Sequence, residues 1–282
     1  MTTTTADVSL RTSSKLPAPD QPRDIKPRVT PVEGLRQTLT LAWRTLIQIR
    51  HNPWELGDFS IQPIIFVLLF TYVFGGAIAD SPTEYLQYAM PGIIVMNMFF
   101  VTMYVGQGLN MDITKGVFDR LRSLPIARWA PLSGRILADM VKQAWSIVLL
   151  LIVGFILGFR LGTSVAGLAA AFLLIMFFAL CFSWVTVLVG VLAADPEKVQ
   201  LFGFTVLFPV TFLSAVFVPI ETMPGWLQPV VEANPVTILS DAARGLMVEG
   251  PVARPVLLSL IWAVAIAAVF APLSVRALRR RV

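Results

Sequence analysis

The sequence predicts an all-α membrane protein. It has six transmembrane helices, an N-terminal interfacial amphipathic helix, and short extracellular re-entrant helices between spans five and six. Three observations carry this. The chain of 282 residues is 56% hydrophobic and only 14% charged, with mean hydropathy +0.75. Soluble domains carry about 25% charged residues, too many for this composition to supply. Six stretches without Asp, Glu, Lys or Arg approach or exceed the roughly 20 apolar residues that cross a bilayer. Finally, the 22 Lys and Arg are distributed very unevenly between those stretches.

In chain order, residues 1–29 are Thr, Ser, Pro and charge with few large apolar groups, and read as a disordered tail. They hold no signal peptide, because no apolar core precedes a cleavage site. Residues 30–52 read as the interfacial helix. Thr30 and Glu33 have capping-box spacing and Pro31 falls at the first helical position. Leu35, Leu39, Ala42, Trp43, Leu46 and Ile49 share one face, with Arg36 and Arg44 opposite, the pattern of a helix lying in the membrane surface. His51, the only histidine, sits at its end beside Asn52-Pro53 and reads as an interfacial polar residue.

The transmembrane domain, 53–282, places spans at about 59–79, 86–110, 137–158, 167–192, 199–219 and 255–275. With six spans both termini share a side. That side holds nineteen of the Lys and Arg; the other holds three, Arg160, Arg244 and Arg254. The bias puts both termini in the cytoplasm of a multi-pass cell (plasma) membrane protein, together with the basic loop 115–135, KGVFDRLRSLPIARWAPLSGR. No basic patch is interleaved with exposed aromatics, so nucleic acid is not an expected partner; membrane lipids are.

Proline predicts a kink or break near Pro209 in span five, with Pro219 at its outer end. Beyond it, Asn234-Pro235 reads as an N-cap and first helical position, starting a short helix through Val236, Leu239, Ala243 and Leu246. Gly154, Gly158 and Gly162, spaced by four, suit close helix packing within the subunit. Asp139 and Lys142 read as a local ion pair at the membrane edge.

Chemistry-bearing motifs are missing. There is no phosphate loop, nucleophile elbow, His-based triad or Cys/His metal spacing, and Cys181 has no partner for an internal disulfide. No metal and no cofactor are expected on this chain, which reads as no enzyme. The span cores carry no mid-depth carboxylates or histidines, which argues against an ion-coupled transporter. Aromatics and methionines are frequent in the first two spans. Most read as packing and lipid contact; Met96, Phe99, Phe100 and Met103 are candidates to line a path for a hydrophobic solute.

The order of these features resembles the permease subunit of type-2 ABC exporters, and in particular the daunorubicin/doxorubicin-resistance permeases. The matching pieces are DITKGVFDRLRSLPIARW at 112–129 and NPVTILSDAAR at 234–244, within a layout that covers residues 30 to 282. The resemblance implies a type-2 ABC transmembrane domain and a half-transporter. Two copies of this chain would pair with two cytoplasmic ABC ATPase subunits, which hold the ATP and Mg. The loop would be the ATPase-coupling element, through Lys115, Gly116, Arg120, Leu121, Arg122, Leu124, Pro125 and Arg128, with Pro209, Pro219, Asn234 and Pro235 as the helix break or gate. The expected function is ATP-driven export of a hydrophobic or amphipathic, drug-like compound. Export of a lipid or lipid-linked glycan, or a non-transporting scaffold for an ATPase, are the alternatives.

Overall fold

The computed structural model describes residues 30–51, 53–79, 81–117 and 130–281; Arg120, Leu121, Arg122, Leu124, Pro125 and Arg128 lie outside them. All regular structure among the described residues is helical. The chain runs α1 (Pro31–His51), α2 (Pro53–Leu69), α3 (Pro82–Thr114), α4 (Ala130–Leu157), α5 (Val165–Leu192), α6 (Pro196–Phe202), α7 (Gln228–Ala233), α8 (Pro235–Met247) and α9 (Ala253–Arg281).

Four helices are long and apolar enough to cross a membrane: Pro82–Thr114, Leu132–Leu157, Val165–Leu192 and Ala253–Arg281. The other two expected spans are not single long helices. Around 59–79, the apolar helical stretch Ile61–Phe74 is short. It ends in a π-helical turn, Phe70–Phe74, and one more α turn, Gly75–Ile78. Around 199–219, α6 passes into a second π turn, Gly203–Leu207, and a last α turn, Phe208–Phe212. Pro209 has no N–H to donate, and the π turn just before it changes the bonding register where that donor is missing. The helix stops when the Leu213 N–H closes on the Pro209 carbonyl at 2.8 Å. Residues 213–219 therefore leave the helix, so the helical part ends short of the expected boundary at 219.

Local chemistry sets the ends. Thr30 and Glu33 form the reciprocal capping box: the Thr30 amide donates to the Glu33 carboxylate at 3.0 Å and the Glu33 amide to the Thr30 hydroxyl at 3.3 Å. These bonds to Thr30 also hold the Glu33 carboxyl below its usual range. Ser81, Ser164, Asp195 and Asn234 cap α3, α5, α6 and α8 with side-chain oxygens. Gly116 (φ 66°) ends α3 and Gly158 (φ 106°) ends α4, both in the left-handed region that favours glycine.

The bundle has two ends. At one, α3 begins beside the end of α4, with the Gln87 amide donating to the Gly158 carbonyl at 3.3 Å; α8 lies there too. At the other, α3 ends beside the end of α5, where the Asn110 amide donates to the carbonyls of Gly190 (2.9 Å) and Ala193 (2.8 Å). The Arg281 guanidinium, at the end of α9, donates to the carbonyls of Val191 and Ala193. Two side chains thus cap the carboxyl end of α5, and α9 runs on to Arg281, past the expected boundary at 275.

Helix α3 is the axis, with 89% of its most apolar window buried. It crosses α5 at Gly106 and Gly190, where each missing Cβ would fall on the other helix's backbone. Gly154 admits Met90 of α3 and Gly162 admits the Val248 carbonyl, so these glycines meet atoms of their own chain. Helix α1 lies on α4: Gly134 meets Thr38, Leu41 and Ala42. The docked face is therefore the small one, Gly34, Thr38 and Ala42, which the expected apolar face had split. Leu35, Leu39 and Trp43 remain exposed beside Val32 and Ile47, because only small residues allow backbones this close.

Candidate functional site

Helices α2 and α3 do not close on each other along their whole length. Between them runs a groove walled by Pro63 and Phe66 of α2 and by Met96, Asn97, Phe100 and Tyr104 of α3. Its outer part, at Ile61, Gln62, Ile65, Phe66 and Tyr104, has a volume of about 310 Å³. Its inner recess, at Ile93 and Asn97, holds about 30 Å³, the room of roughly one water molecule. The outer part reaches the low end of the range that holds small organic ligands, about 300–1,000 Å³.

Of the four expected path residues, Met96 and Phe100 line this groove. Phe99 and Met103 do not. Phe99 lies edge-on to Phe178 (5.7 Å) and Phe182 (4.7 Å) of α5, and Met103 packs over Gly203 of the second π turn. The reason is helical geometry. Residues 96 and 100 form one i,i+4 row and 99 and 103 another, rotated by about 60°. Gln62 and Asn97 complete the groove and were missed as site residues. Asn97 is an amide well inside the uncharged run 85–111, a signal that residue type and depth did carry, whereas Gln62 stands near the start of the run 59–79.

Asn97 is 6% exposed, and its amide nitrogen donates to the Ser146 hydroxyl of α4 at 2.8 Å. From there a polar row climbs α4 toward the end that carries the 115–129 loop. Gln143 is fully buried. Next come Lys142 and Asp139, 3.2 Å apart, then Arg135, 3.2 Å from Asp139, and Asp112 on α3, 3.4 Å from Arg135. The Asp139 and Lys142 side chains are 3% and 4% exposed. The expectation of a solvated edge pair is thereby corrected: α1 and α3 pack on either side of α4 and cover it. Arg135 lies where a side chain on Gly108 would stand, so the glycine makes room for the guanidinium against α3. Among the described residues, two acids and two bases make this row neutral, which suits the burial of its Asp139–Lys142 pair. Lys115 and Gly116 lie at the foot of the row, at the end of α3.

The helix-break residues gather at the opposite end. The Asn234 Oδ1 accepts from the Val236 amide at 2.9 Å, and its Nδ2 donates to the carbonyls of Val210 and Leu213, both at 2.7 Å. One side chain thus caps the start of α8 and the broken end of the Phe208–Phe212 turn. Pro235 follows at the first position of α8, while Pro219 stands apart before the short turn Ile220–Thr222. Arg244, outside the expected set of site residues, anchors the segment after the break. Its guanidinium donates to the carbonyls of Tyr88 (3.1 Å) and Ala215 (3.0 Å) and to Asp241 (2.6 Å), and sits 3.9 Å above the Tyr88 ring. The Tyr88 hydroxyl donates to the same Ala215 carbonyl, and Thr237 accepts from the Ala215 amide. Burial pushes the Asp241 carboxyl up, against the pull of Arg244.

No group of three or more His, Cys, Asp or Glu among the described residues is placed to hold a metal ion. Asp139 and Asp112 are committed to the ion row and Asp241 to Arg244. What the arrangement offers is a path-like groove, an internal ionic row and a pinned helix break.

These features define the class: a helical integral membrane protein whose interior polar groups lie beside a solute-sized groove. The comparisons narrow it. The model of the ABC-2 type transporter family matches residues 36–248, and the chain belongs to that family. It is 41% identical to the daunorubicin resistance ABC transporter permease protein DrrB1 of Streptomyces coeruleorubidus over 86% of each chain. It is 27% identical to a probable doxorubicin resistance ABC transporter permease protein, DrrC, of Mycobacterium tuberculosis, over 85% of this chain and 87% of that one. It is 25% identical to a putative transport permease, ycf38, of Cyanophora paradoxa, over 77% and 76%. Relatives of this kind are permease subunits of ABC transporters rather than catalysts, and membership implies an ABC ATPase subunit as partner.

Proposed function

We propose that this chain is the membrane permease of an ATP-driven exporter that moves a hydrophobic or amphipathic, drug-like compound across the cell membrane. The observation that carries the reading is the groove between α2 and α3. It joins aromatic and methionine walls to the amides of Gln62 and Asn97, and Asn97 stands midway along α3, where lipid would leave an amide unsatisfied. The daunorubicin and doxorubicin resistance in the relatives' names supports a drug-like solute.

In this reading six segments pass between the two ends of the bundle. The four long helices are joined by α2 with its π turn and by α6 with the buried segment after its break. The end that holds α1, the basic loop and Arg281 is cytoplasmic. ATP and Mg are held by a separate ATPase subunit, two copies of which serve two copies of this chain. ATP-driven closure of the ATPases reaches the spans through the loop, with Arg120 and Arg122 meeting ATPase carboxylates and Leu121, Leu124 and Pro125 seated between them. The neutral ion row ties the loop's two flanks together, since Asp112 precedes the loop and Arg135 follows it. The groove then opens first inward and later outward, by rigid-body movement around the fixed α3–α5 crossing.

The test is co-purification and transport with the cognate ATPase. The variant Arg120→Glu/Arg122→Glu is expected to keep its elution profile, lose most bound ATPase and lose ATP-dependent uptake of daunorubicin into inside-out vesicles. Full co-purification of that variant would remove the loop from the mechanism. Wild-type vesicles that accumulate no daunorubicin, rhodamine or other amphipathic dye would remove the export reading itself.

A further inference from the structure

We infer that Asn97 is a specificity-determining residue, which presents a fixed hydrogen-bond acceptor to the groove and selects solutes carrying an uncharged O–H or N–H donor beside an apolar ring face. The inference rests on the export reading and adds to it the chemistry of the solute.

The first observation is the satisfaction of the amide. Asn97 Nδ2 is used by Ser146 at 2.8 Å. Its Oδ1 has no hydrogen-bond partner among the described residues, yet it is not among the buried orphaned atoms. A residue 94% buried therefore keeps its one free polar atom in contact with the open recess that it lines. An amide oxygen at mid-span depth costs free energy unless something donates to it.

The second observation is the rigidity of that oxygen. Gln62 lines the outer groove but is exposed, so its amide turns freely and fixes no polarity. Asn97 sits in the middle of α3, the most buried helix, with Ser146 holding one end of the amide. A pre-oriented acceptor discriminates between ligands, because a solute without a donor leaves it unpaired.

The third observation is the company it keeps. Phe66 and Tyr104 line both the outer groove and the recess and supply the ring face, Met96 and Phe100 wall the recess that a donor enters, and no charged side chain lines either part. An ammonium placed here would lose its hydration with no counter-ion to replace it. The donor selected is therefore a hydroxyl or a neutral N–H at the edge of a ring system.

The experiment uses the full-length permease in lipid nanodiscs and two fluorescent probes of nearly equal size, 1-pyrenemethanol and 1-ethylpyrene. Saturable binding is read by pyrene emission on titration. Wild type is expected to bind 1-pyrenemethanol about five- to tenfold more tightly, the yield of one buried neutral hydrogen bond. Asn97→Leu is expected to weaken 1-pyrenemethanol to the level of 1-ethylpyrene and to leave 1-ethylpyrene unchanged. Ser146→Ala, which keeps the acceptor but releases its orientation, is expected to reduce the preference without abolishing it, and it decides the matter if Asn97→Leu does not fold. Equal binding of the two probes by wild type, a preference that survives in both variants, or no saturable binding of either probe overturns the inference. ATP-driven transport of both probes at equal rates would leave the export reading standing while removing Asn97's role. Discriminating binding with no ATP-driven transport would do the reverse.

Discussion

Replacing Asp139 by Ala removes the centre of the buried ion row. Its carboxylate lies 3.2 Å from both the Arg135 guanidinium and the Lys142 ammonium. The Lys142 contact is ionic rather than an aligned hydrogen bond, since Asp139 Oδ1 has no hydrogen-bond partner. The attraction is Coulombic and does not need that alignment. Without Asp139, the Lys142 ammonium, 4% exposed, loses the carboxylate 3.2 Å away, and Arg135 keeps Asp112 at 3.4 Å. Removing one partner of a buried pair costs about 3–5 kcal/mol, chiefly because an uncompensated charge stays behind. At about 2–4 °C per kcal/mol for a chain of this size, the melting midpoint falls by roughly 6–20 °C. The assay is loss of the monodisperse peak on detergent size-exclusion after heating. The double variant Asp139→Leu/Lys142→Met removes both charges and is expected to recover most of the loss, since apolar replacements of a buried pair are often neutral. A single variant within a degree or two of wild type, or a double variant no better than the single one, would refute the reasoning that burial makes this row costly to break.

Three further outcomes follow from the geometry. Asn234→Ala loses a helix cap and two donors to otherwise open carbonyls, about 3 kcal/mol together; hydrogen exchange of residues 210–238 is expected to quicken while the α3–α5 crossing stays protected. Gly106→Val places a side chain on the Thr186 backbone of α5, which has no flexible end to move, and is expected to abolish the folded peak; Gly76→Ala, with nothing within 4 Å, is expected to be neutral. The Asp195 carboxyl is held below its usual range, first by the Lys198 backbone amide that it caps. A depressed acid stabilises above its unfolded pKa and loses that contribution as pH falls through the folded value, so protection of the first turn of α6 is expected to drop in the acid carboxylate range and to be pH-independent in Asp195→Ser.

Much of the fold was legible because bilayer constraints are coarse and strong. The end of α4 and both boundaries of α5 follow from uncharged runs, and the Thr30–Glu33 box and the Asn234-Pro235 start follow from local side-chain chemistry. The second partner of each local device was not legible. Asn234 as a cap is written in three adjacent residues, but its reach to Val210 and Leu213 spans 24 and 21 positions. The burial of Asp139 and Lys142 depends on α1 and α3 covering α4, which spacing along α4 cannot report. The path residues show the same limit: Met96, Phe99, Phe100 and Met103 have alike chemistry, and only the positions of α5 and the second π turn divide them into groove and core.

Packing in this bundle is unequal, and the inequality bears on where a solute could pass. Helices α3, α5 and α9 are locked at Gly106 and Gly190, by Asn110 and Arg281 on the carboxyl end of α5, and by the Ser274 hydroxyl donating to the Trp184 carbonyl at 2.8 Å. The segments that follow α2 and α6 meet otherwise. Each helix runs into a π turn, and Phe70 of the first turn stacks at 4.0 Å on Phe217 of the segment after the break, with Phe212 at 5.2 Å from Phe217. Stacked rings are held by contact area and tolerate sliding, whereas a backbone-to-backbone glycine crossing tolerates none. A π turn also carries one residue more than an α turn, so its register has a nearby alternative. The groove lies against α2, on the adaptable side, with its inner wall on α3, the most tightly held helix. A path bounded by one fixed wall and one yielding wall can change its width while Asn97 and Phe100, on the fixed wall, keep their positions.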